Sequence, residues 1–299
     1  MPLSIEIRLK QMQVVQTAVT KNRIHYKKTC SVPMEDGWVD AKGIADPVAV
    51  AFALNKALQD NGIKEKKCTL CINNPSVIYR ELTIPKVDDK RVAFVVRSEM
   101  IATLDLTHDY IVDFVILDET IEAHKTHVRI LAVAIAERAL ASYIDICTKV
   151  GLKVDVVETA TTSVIKLVSK SDILEGTDPT IVADIENEIM KIYLFENKSY
   201  ILLRNTKLNT VDSKNKIEWI GDVEDDINKM MQFQFTRPSH IGVKRIVIYG
   251  DHPLIPEIRD AVSESLSVET LLYPKPDFLS GREESYLPYL NAIGAALRK

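Results

Sequence analysis

Residues 182–193 read VADIENEIMKIY, and they decide the fold. Apolar residues run up to the Asp184-Ile185 pair, the polar trio Glu186, Asn187 and Glu188 follows, and apolar residues resume at Ile189. The pattern predicts a strand, a tight turn and a second strand. When such a turn cradles a phosphate, a glycine after the aspartate–isoleucine pair lets the backbone amides come close. Glu186 takes that place here. The stretch therefore poses a question: is it a nucleotide hairpin, or what remains of one?

Working outward, residues 199–204 read as a third strand, completing a meander. The same pattern opens the chain, with strands expected over 3–8, 12–19 and 23–30. After each meander come a helix and a further strand. The first such helix has Asp46 as N-cap, Pro47 at its first position and Gly62 past its end, with Val48, Phe52, Leu54, Ala57 and Leu58 as the expected buried stripe. A strand over 67–73 follows. The second copy continues with a helix bearing Val223, Ile227, Met230, Met231 and Phe235, a strand over 245–249, a helix over 253–266 and a strand over 268–272. A repeat about 180 residues long is no solenoid unit. It implies two related α/β lobes with mixed sheets, and two such lobes commonly leave a cleft between them.

Between the copies the order changes. Residues 77–84 read as a strand ended by Pro85, and a helix starts at Asp88 or Asp89 with Val92, Val95, Val96 and Met100 at helical spacing. Strands follow over 110–117 and 127–135, then a helix over 137–150 ended by Gly151. This β-α-β-β unit reads as an inserted subdomain. The strand 154–157 and a helix over 162–168 lead back into the repeat, and a helix over 286–297 closes the chain. The domain reading is a first lobe over 1–75 completed by 286–299, an inserted subdomain with its connecting helix over 76–150, and a second lobe over 151–285.

Composition narrows the function classes. With 299 residues, 46% hydrophobic and 27% charged, the chain is an ordinary globular one. A net charge of -4 spread along the chain leaves no basic block for a phosphate backbone, so no nucleic-acid partner is expected. No run approaches the roughly 18 apolar residues of a membrane helix, and MPLSIEIRLK lacks a signal-peptide layout. A cytoplasmic protein is expected, with membrane contact only through partners. Cys68 and Cys71 form a CxxC without a second ligand pair, and strand alternation sends their sulfurs to opposite faces, so they read as semi-buried thiols. His124 and His127 read as a solvated turn, and the acidic run 222–226 as charge at a helix N-terminus. No catalytic arrangement and no metal site stand out.

Three stretches carry a resemblance: NPSVIYRELTIP at 74–85, GLKVDVVET at 151–159 and YLNAIGAAL at 289–297. In this order and spacing, along nearly the whole chain, they resemble the PilM family of type IV pilus assembly. PilM belongs to the actin-like, ribonuclease-H-like superfamily, near the FtsA branch with its inserted subdomain. The resemblance implies a duplicated two-lobe α/β fold and a cytoplasmic scaffold. It further implies that the N-terminal tail of a PilN-like membrane protein lies in a groove between first lobe and inserted subdomain, with the pilus assembly ATPases as further partners. Tyr79, Leu82, Ile84, Val92, Val95 and Val96 are the groove residues expected here.

ATP-binding relatives place glycine-containing hairpins around the phosphates, and here every matching position departs. The first hairpin reads Glu6-Ile7-Arg8, with Gln13 where a lysine is expected; the second reads Asp184-Ile185-Glu186; the adenosine motif is reduced to Gly250-Asp251. A carboxylate at Glu186 facing a phosphate at about 4 Å costs roughly 4 kcal/mol per unit charge. A bulky residue in a glycine-only conformation adds roughly 1–3 kcal/mol, against about 8 kcal/mol for micromolar binding. Residues 205–222 are also too few for the helices that hold adenine and ribose, so the second lobe's upper subdomain is expected to be reduced. These positions read as vestiges, with no enzyme activity and neither ATP nor magnesium expected. The alternatives are an ATP-binding actin-like switch of the same machinery and an FtsA-like cell-division protein.

Overall fold

The strand–turn–strand reading of residues 182–193 holds, and the rest of the repeat grows around it. The computed structural model describes residues 2–20, 23–122, 125–174, 176–212, 214–281 and 286–297. They form two compact units, Met1–Thr20, Tyr26–Ser163 and Asn291–Lys299 in one, Lys21–His25 and Val164–Leu290 in the other.

The first unit opens with β1 (Leu3–Ile7), β2 (Gln11–Val19) and β3 (Ile24–Pro33), then the short pair β4 (Val39–Asp40) and β5 (Gly43–Ile44), helix α1 (Pro47–Asp60) and β6 (Lys67–Ile72). The inserted unit is β7 (Ile78–Pro85), α2 (Asp89–Leu104), β8 (Tyr110–Glu122) and β9 (Lys125–Ala136). Helix α3 (Glu137–Lys149), β10 (Lys153–Thr159) and the start of α4 (Ala160–Lys170) return to the main sheet, ordered β10-β6-β1-β2-β3. β1 runs antiparallel to β2 and parallel to β6, so this is the mixed sheet of the sequence reading.

One sheet face is closed by α1 and α3. Val50, Leu54 and Leu58 from α1 and Tyr143, Ile146 and Cys147 from α3 pack on Leu3, Ile5, Ile7, Met12, Val14 and Leu70. Asp46 caps α1 as expected, accepting from the Val48 and Ala49 amides. The expected stripe is half wrong, however. Val48 and Phe52 are 77% and 71% exposed, and Val50 takes the inward place. α1 is apolar nearly all round, so composition could not say which arc faces in.

The second unit repeats the meander with β11 (Thr180–Ile185), β12 (Ile189–Glu196) and β13 (Ser199–Lys207), then α5 (Lys216–Thr236), β14 (Arg245–Gly250), α6 (Ile255–Leu266), β15 (Glu269–Leu272) and β16 (Leu279–Gly281). Its sheet order is β13-β12-β11-β14-β15. α5 and α6 cover one face through Trp219, Val223, Ile227, Met230, Ile258 and Val262. The sequence places the acidic run 222–226 at a helix start, but α5 begins at Lys216, so the run is mid-helix and gains nothing from the dipole. Asp226 is instead buried, 2.8 Å from Lys229 and 3.6 Å from Arg204.

Other boundaries differ by local causes. The closing helix is shorter than read: a 3₁₀ turn over Leu287–Tyr289, containing Pro288, precedes α7 (Leu290–Ala295). β8 and β9 extend past their expected ends, and His127, read as solvated, is half-buried within β9. His124 lies outside the described residues. Cys68 and Cys71 do point to opposite faces, but both are buried rather than semi-buried. Cys68 joins the α3 side, and Cys71 packs against Ala160 and Ala295.

Candidate functional site

Each expected phosphate hairpin is a regular antiparallel turn, and each closes on an ion pair of its own. In the first, Arg8 N–H donates to the Gln11 carbonyl (2.9 Å) and Glu6 stands directly opposite Gln13. The Arg8 guanidinium donates to both Glu6 oxygens, Nε to Oε1 at 2.9 Å and Nη2 to Oε2 at 3.1 Å. Asn73 and Asn291 also donate to Oε1, at 2.8 and 2.9 Å. Glu6 is 0% and Arg8 2% exposed. The Glu6 carboxylate thus accepts from three side chains, two of the contacts being charge-assisted bonds from Arg8.

The second hairpin has the same shape. Glu186 N–H donates to the Ile189 carbonyl (3.0 Å), and Asp184 stands opposite Lys191, as Glu6 stands opposite Gln13. Lys191 is the residue that the sequence reading missed. It has the position in the second hairpin that Gln13 has in the first, and register alone could have found it. Its ammonium lies 3.2 Å from Glu186 Oε1, both side chains being nearly buried. The lone repelling carboxylate expected at Glu186 is therefore neutralised within its own hairpin.

The expected backbone strain is also absent. Among the described residues the non-glycine positions of positive φ are Asp105, Asn197, Lys198, His240 and Ser267, and neither Arg8 nor Glu186 is one of them. A turn that never enters the left-handed region needs no glycine. What the substitutions change is the space, because the arginine and glutamate side chains take part in the hairpin ion pairs.

The adenosine-type loop follows β14. Gly250 has φ +134°, and a Cβ there would lie 2.1 Å from the Ile185 carbonyl oxygen, so this glycine is required by close backbone approach. Asp251 is half-buried beside it. The next residue, His252, stacks on Trp219 with ring centroids 4.5 Å apart and accepts from the Leu254 amide through Nδ1. Burial lowers its pKa. The Trp219 indole donates to the Asn209 carbonyl (2.7 Å), tying the short 208–215 connection to α5. The aromatic surface of this loop is thus spent on the protein itself. At both hairpins and at this loop the side chains are thus engaged with other groups of the protein.

The expected peptide groove divides across two sheet faces. β7, β9 and β8 form a three-stranded sheet in that order. Ile84, Val92, Val96 and Met100 are buried between it and α2 with Val128 and Ile130, and Leu82 and Val95 pack on that core. Ile84, Val92 and Val96 are therefore core residues, not groove lining. Tyr79 alternates to the opposite face and packs on the first unit's core with Val133. Residues paired across the strands share that face: Tyr79, Glu81, Val133, Leu131, Arg129, Ile111, Asp113, Val115 and Asp118. Arg129 links all three strands there, with Nη1 3.1 Å from Glu81 and Nη2 2.6 Å from Asp118.

A family model described as type IV pilus assembly protein PilM matches residues 4–218. The chain belongs to the PilM family. Among solved structures it is similar to a PilM-PilN type IV pilus biogenesis complex, at 16% identity over 99% of this chain and 97% of that one, with a TM-score of 0.84. It is also similar to the ethanolamine utilization protein EutJ from Carboxydothermus hydrogenoformans, at 9% identity over 98% and 88%, TM-score 0.51. A Bacteroides thetaiotaomicron protein with an actin-like ATPase fold matches at 11% identity over 92% of both chains, TM-score 0.49. No curated protein sequence matches the chain. This PilM family member has a mixed α/β fold with the meander present twice, similar to the fold in the PilM-PilN complex. No helix among the described residues is long and apolar enough to cross a membrane.

Proposed function

We propose that this PilM family member is a cytoplasmic scaffold of the type IV pilus assembly platform. It binds the N-terminal tail of a PilN-like membrane protein and works without ATP. The observation that carries the reading is the family match over residues 4–218, which contains the whole inserted sheet. The tail meets the sheet face away from α2, where Tyr79, Val115 and Val133 are half-buried, because the α2 side is closed core. Attachment to the membrane comes through this partner, and the assembly ATPases are further partners.

The nucleotide side of the reading rests on the two hairpins. Opening either one for a phosphate would strand a buried charge, a loss of several kcal/mol per ion that would weaken an otherwise micromolar ligand to about the millimolar range. Calorimetric titration tests both halves. A synthetic PilN-like tail peptide should bind with micromolar or better affinity, and magnesium-ATP and magnesium-ADP should give no heat up to millimolar concentration. Micromolar nucleotide binding would overturn the ATP-free reading in favour of an actin-like switch. Absence of tail binding would overturn the scaffold reading.

A further inference from the structure

The CxxC of the sequence is not a pair, but one of its cysteines has another partner. Cys68 and Cys71 point to opposite faces of β6, so they do not meet. Cys71 lies 3.8 Å from the Ser163 hydroxyl, and Cys30 is three strands away in β3. Cys68 instead meets Cys147 of α3. Both thiols lie in the core of the first unit, 3% and 0% exposed, and the Cys147 S–H donates to the Cys68 sulfur. That bond shifts Cys68 toward its thiolate, against burial and the nearby Asp155, and holds Cys147 protonated. Cys68 is therefore the readier nucleophile, with a second thiol already in contact to resolve it.

The backbone holds the two sulfurs together. The Leu152 amide donates to the Cys147 carbonyl at 2.9 Å, and two residues on, Val154 pairs with Cys68. Cys68 is the second residue of β6 and Cys147 belongs to the last turn of α3, with the exposed Lys67 and Lys149 beside them. Helix ends open more readily than helix centres, so opening of this turn admits a small oxidant. The segment between the two cysteines contains all of β7, α2, β8 and β9, so a bond between its ends closes the inserted unit at its base. We propose that Cys68 and Cys147 are a site of reversible oxidation, whose disulfide ties that base to the main sheet. With a hydroperoxide as oxidant, the Cys68 thiolate attacks one oxygen and the O–O bond breaks. For hydrogen peroxide, the departing hydroxide leaves as water and Cys68 becomes a sulfenic acid. The Cys147 sulfur then attacks Cys68, the S–O bond breaks, and a second water carries off the Cys147 proton. Two thiols are oxidised by two electrons and one peroxide is reduced. A dithiol reverses the step by exchange.

The test treats the reduced full chain with hydrogen peroxide under native conditions, then blocks the remaining thiols with iodoacetamide in denaturant. Linked peptides are mapped by mass spectrometry. The expected result is a Cys68–Cys147 link within one chain, reversed by dithiothreitol. The linked chain should melt about 5 °C higher than the reduced one, because the closed loop is long. Cys147→Ala should leave Cys68 as a sulfenic acid that dimedone labels, since the resolving thiol is gone. Four alkylatable thiols after peroxide would overturn the proposal. So would a link through Cys30 or Cys71 in place of this one, or a Cys68–Cys147 link that forms only in urea. A linked chain that melts no higher than the reduced chain would overturn the tie at the base of the inserted unit. Wild type alone decides the linkage, so an unstable variant does not spoil the test.

Discussion

Removing Arg8 while keeping Glu6 is the sharpest probe of the first hairpin. At 2.9 Å and an effective dielectric near 20, the gross attraction between the two ions is about 6 kcal/mol. The net value is smaller, because both ions leave water and each pays several kcal/mol in desolvation. In Arg8→Met the carboxylate stays buried, with Asn73 and Asn291 still donating to it. The expected loss is about 3–5 kcal/mol. Glu6→Gln in the same background restores neutrality while Oε1 still accepts from both asparagines. The double variant should therefore return to within about 1 kcal/mol of wild type, as replaced buried ion pairs commonly do. Urea unfolding followed by far-ultraviolet circular dichroism, run as a double-mutant cycle, measures the difference. A single variant within about 1 kcal/mol of wild type, or a double variant as unstable as the sum of the singles, would refute the claim that the hairpin is locked by its own charges.

The remaining predictions concern other parts of the fold. Gly250→Ala should lose at least about 3 kcal/mol or fail to accumulate as folded protein, since its Cβ would meet the Ile185 backbone; an unchanged melting temperature would contradict this. Phe52→Ser should stay within about 0.5 kcal/mol of wild type, because the ring is exposed, whereas Leu54→Ala should cost about 2–5 kcal/mol; equal losses would show that the orientation of α1 is wrong. His252 titrates below its ordinary value of 6.5 in the folded chain because it is buried. The unfolded state therefore binds its proton first. This contribution to stability is complete above the unfolded value and is lost as pH falls toward the folded one. His252→Phe should flatten the stability difference between pH 5 and 7.5, measured by urea midpoint, and a slope identical to wild type would refute the assignment.

Much of the architecture was legible in the chain itself. Period-two alternation at 3–8 marks a strand because it follows from strand geometry, and the apolar runs on either side of the polar trio 186–188 mark a strand pair. The recurrence of the meander exposed the duplication, and Asp46-Pro47 located a helix start through capping chemistry that is local. Positions 8 and 186 announced that the phosphate turns had lost their glycines. The strands β4, β5 and β16 were missed because two or three residues show no period. The burial of Ile84, Val92 and Val96 was not legible for a related reason: apolar residues look alike in sequence whether they line a groove or fill a core.

The sequence by itself determined the repeat, the strand and helix pattern and the departure of the phosphate hairpins, since each depends on neighbours a few residues apart. Only the tertiary structure decided which groups the residues at those positions pair with. Leu-Ser-Ile-Glu-Ile at β1 alternates like a half-exposed strand, yet all five residues are buried. Glu6 receives Asn291 from the other end of the chain, and Lys191 reaches Glu186 across a strand pair. Whether a buried glutamate repels a phosphate or satisfies a lysine depends on which charges lie within a few ångströms of it, and folding sets those distances.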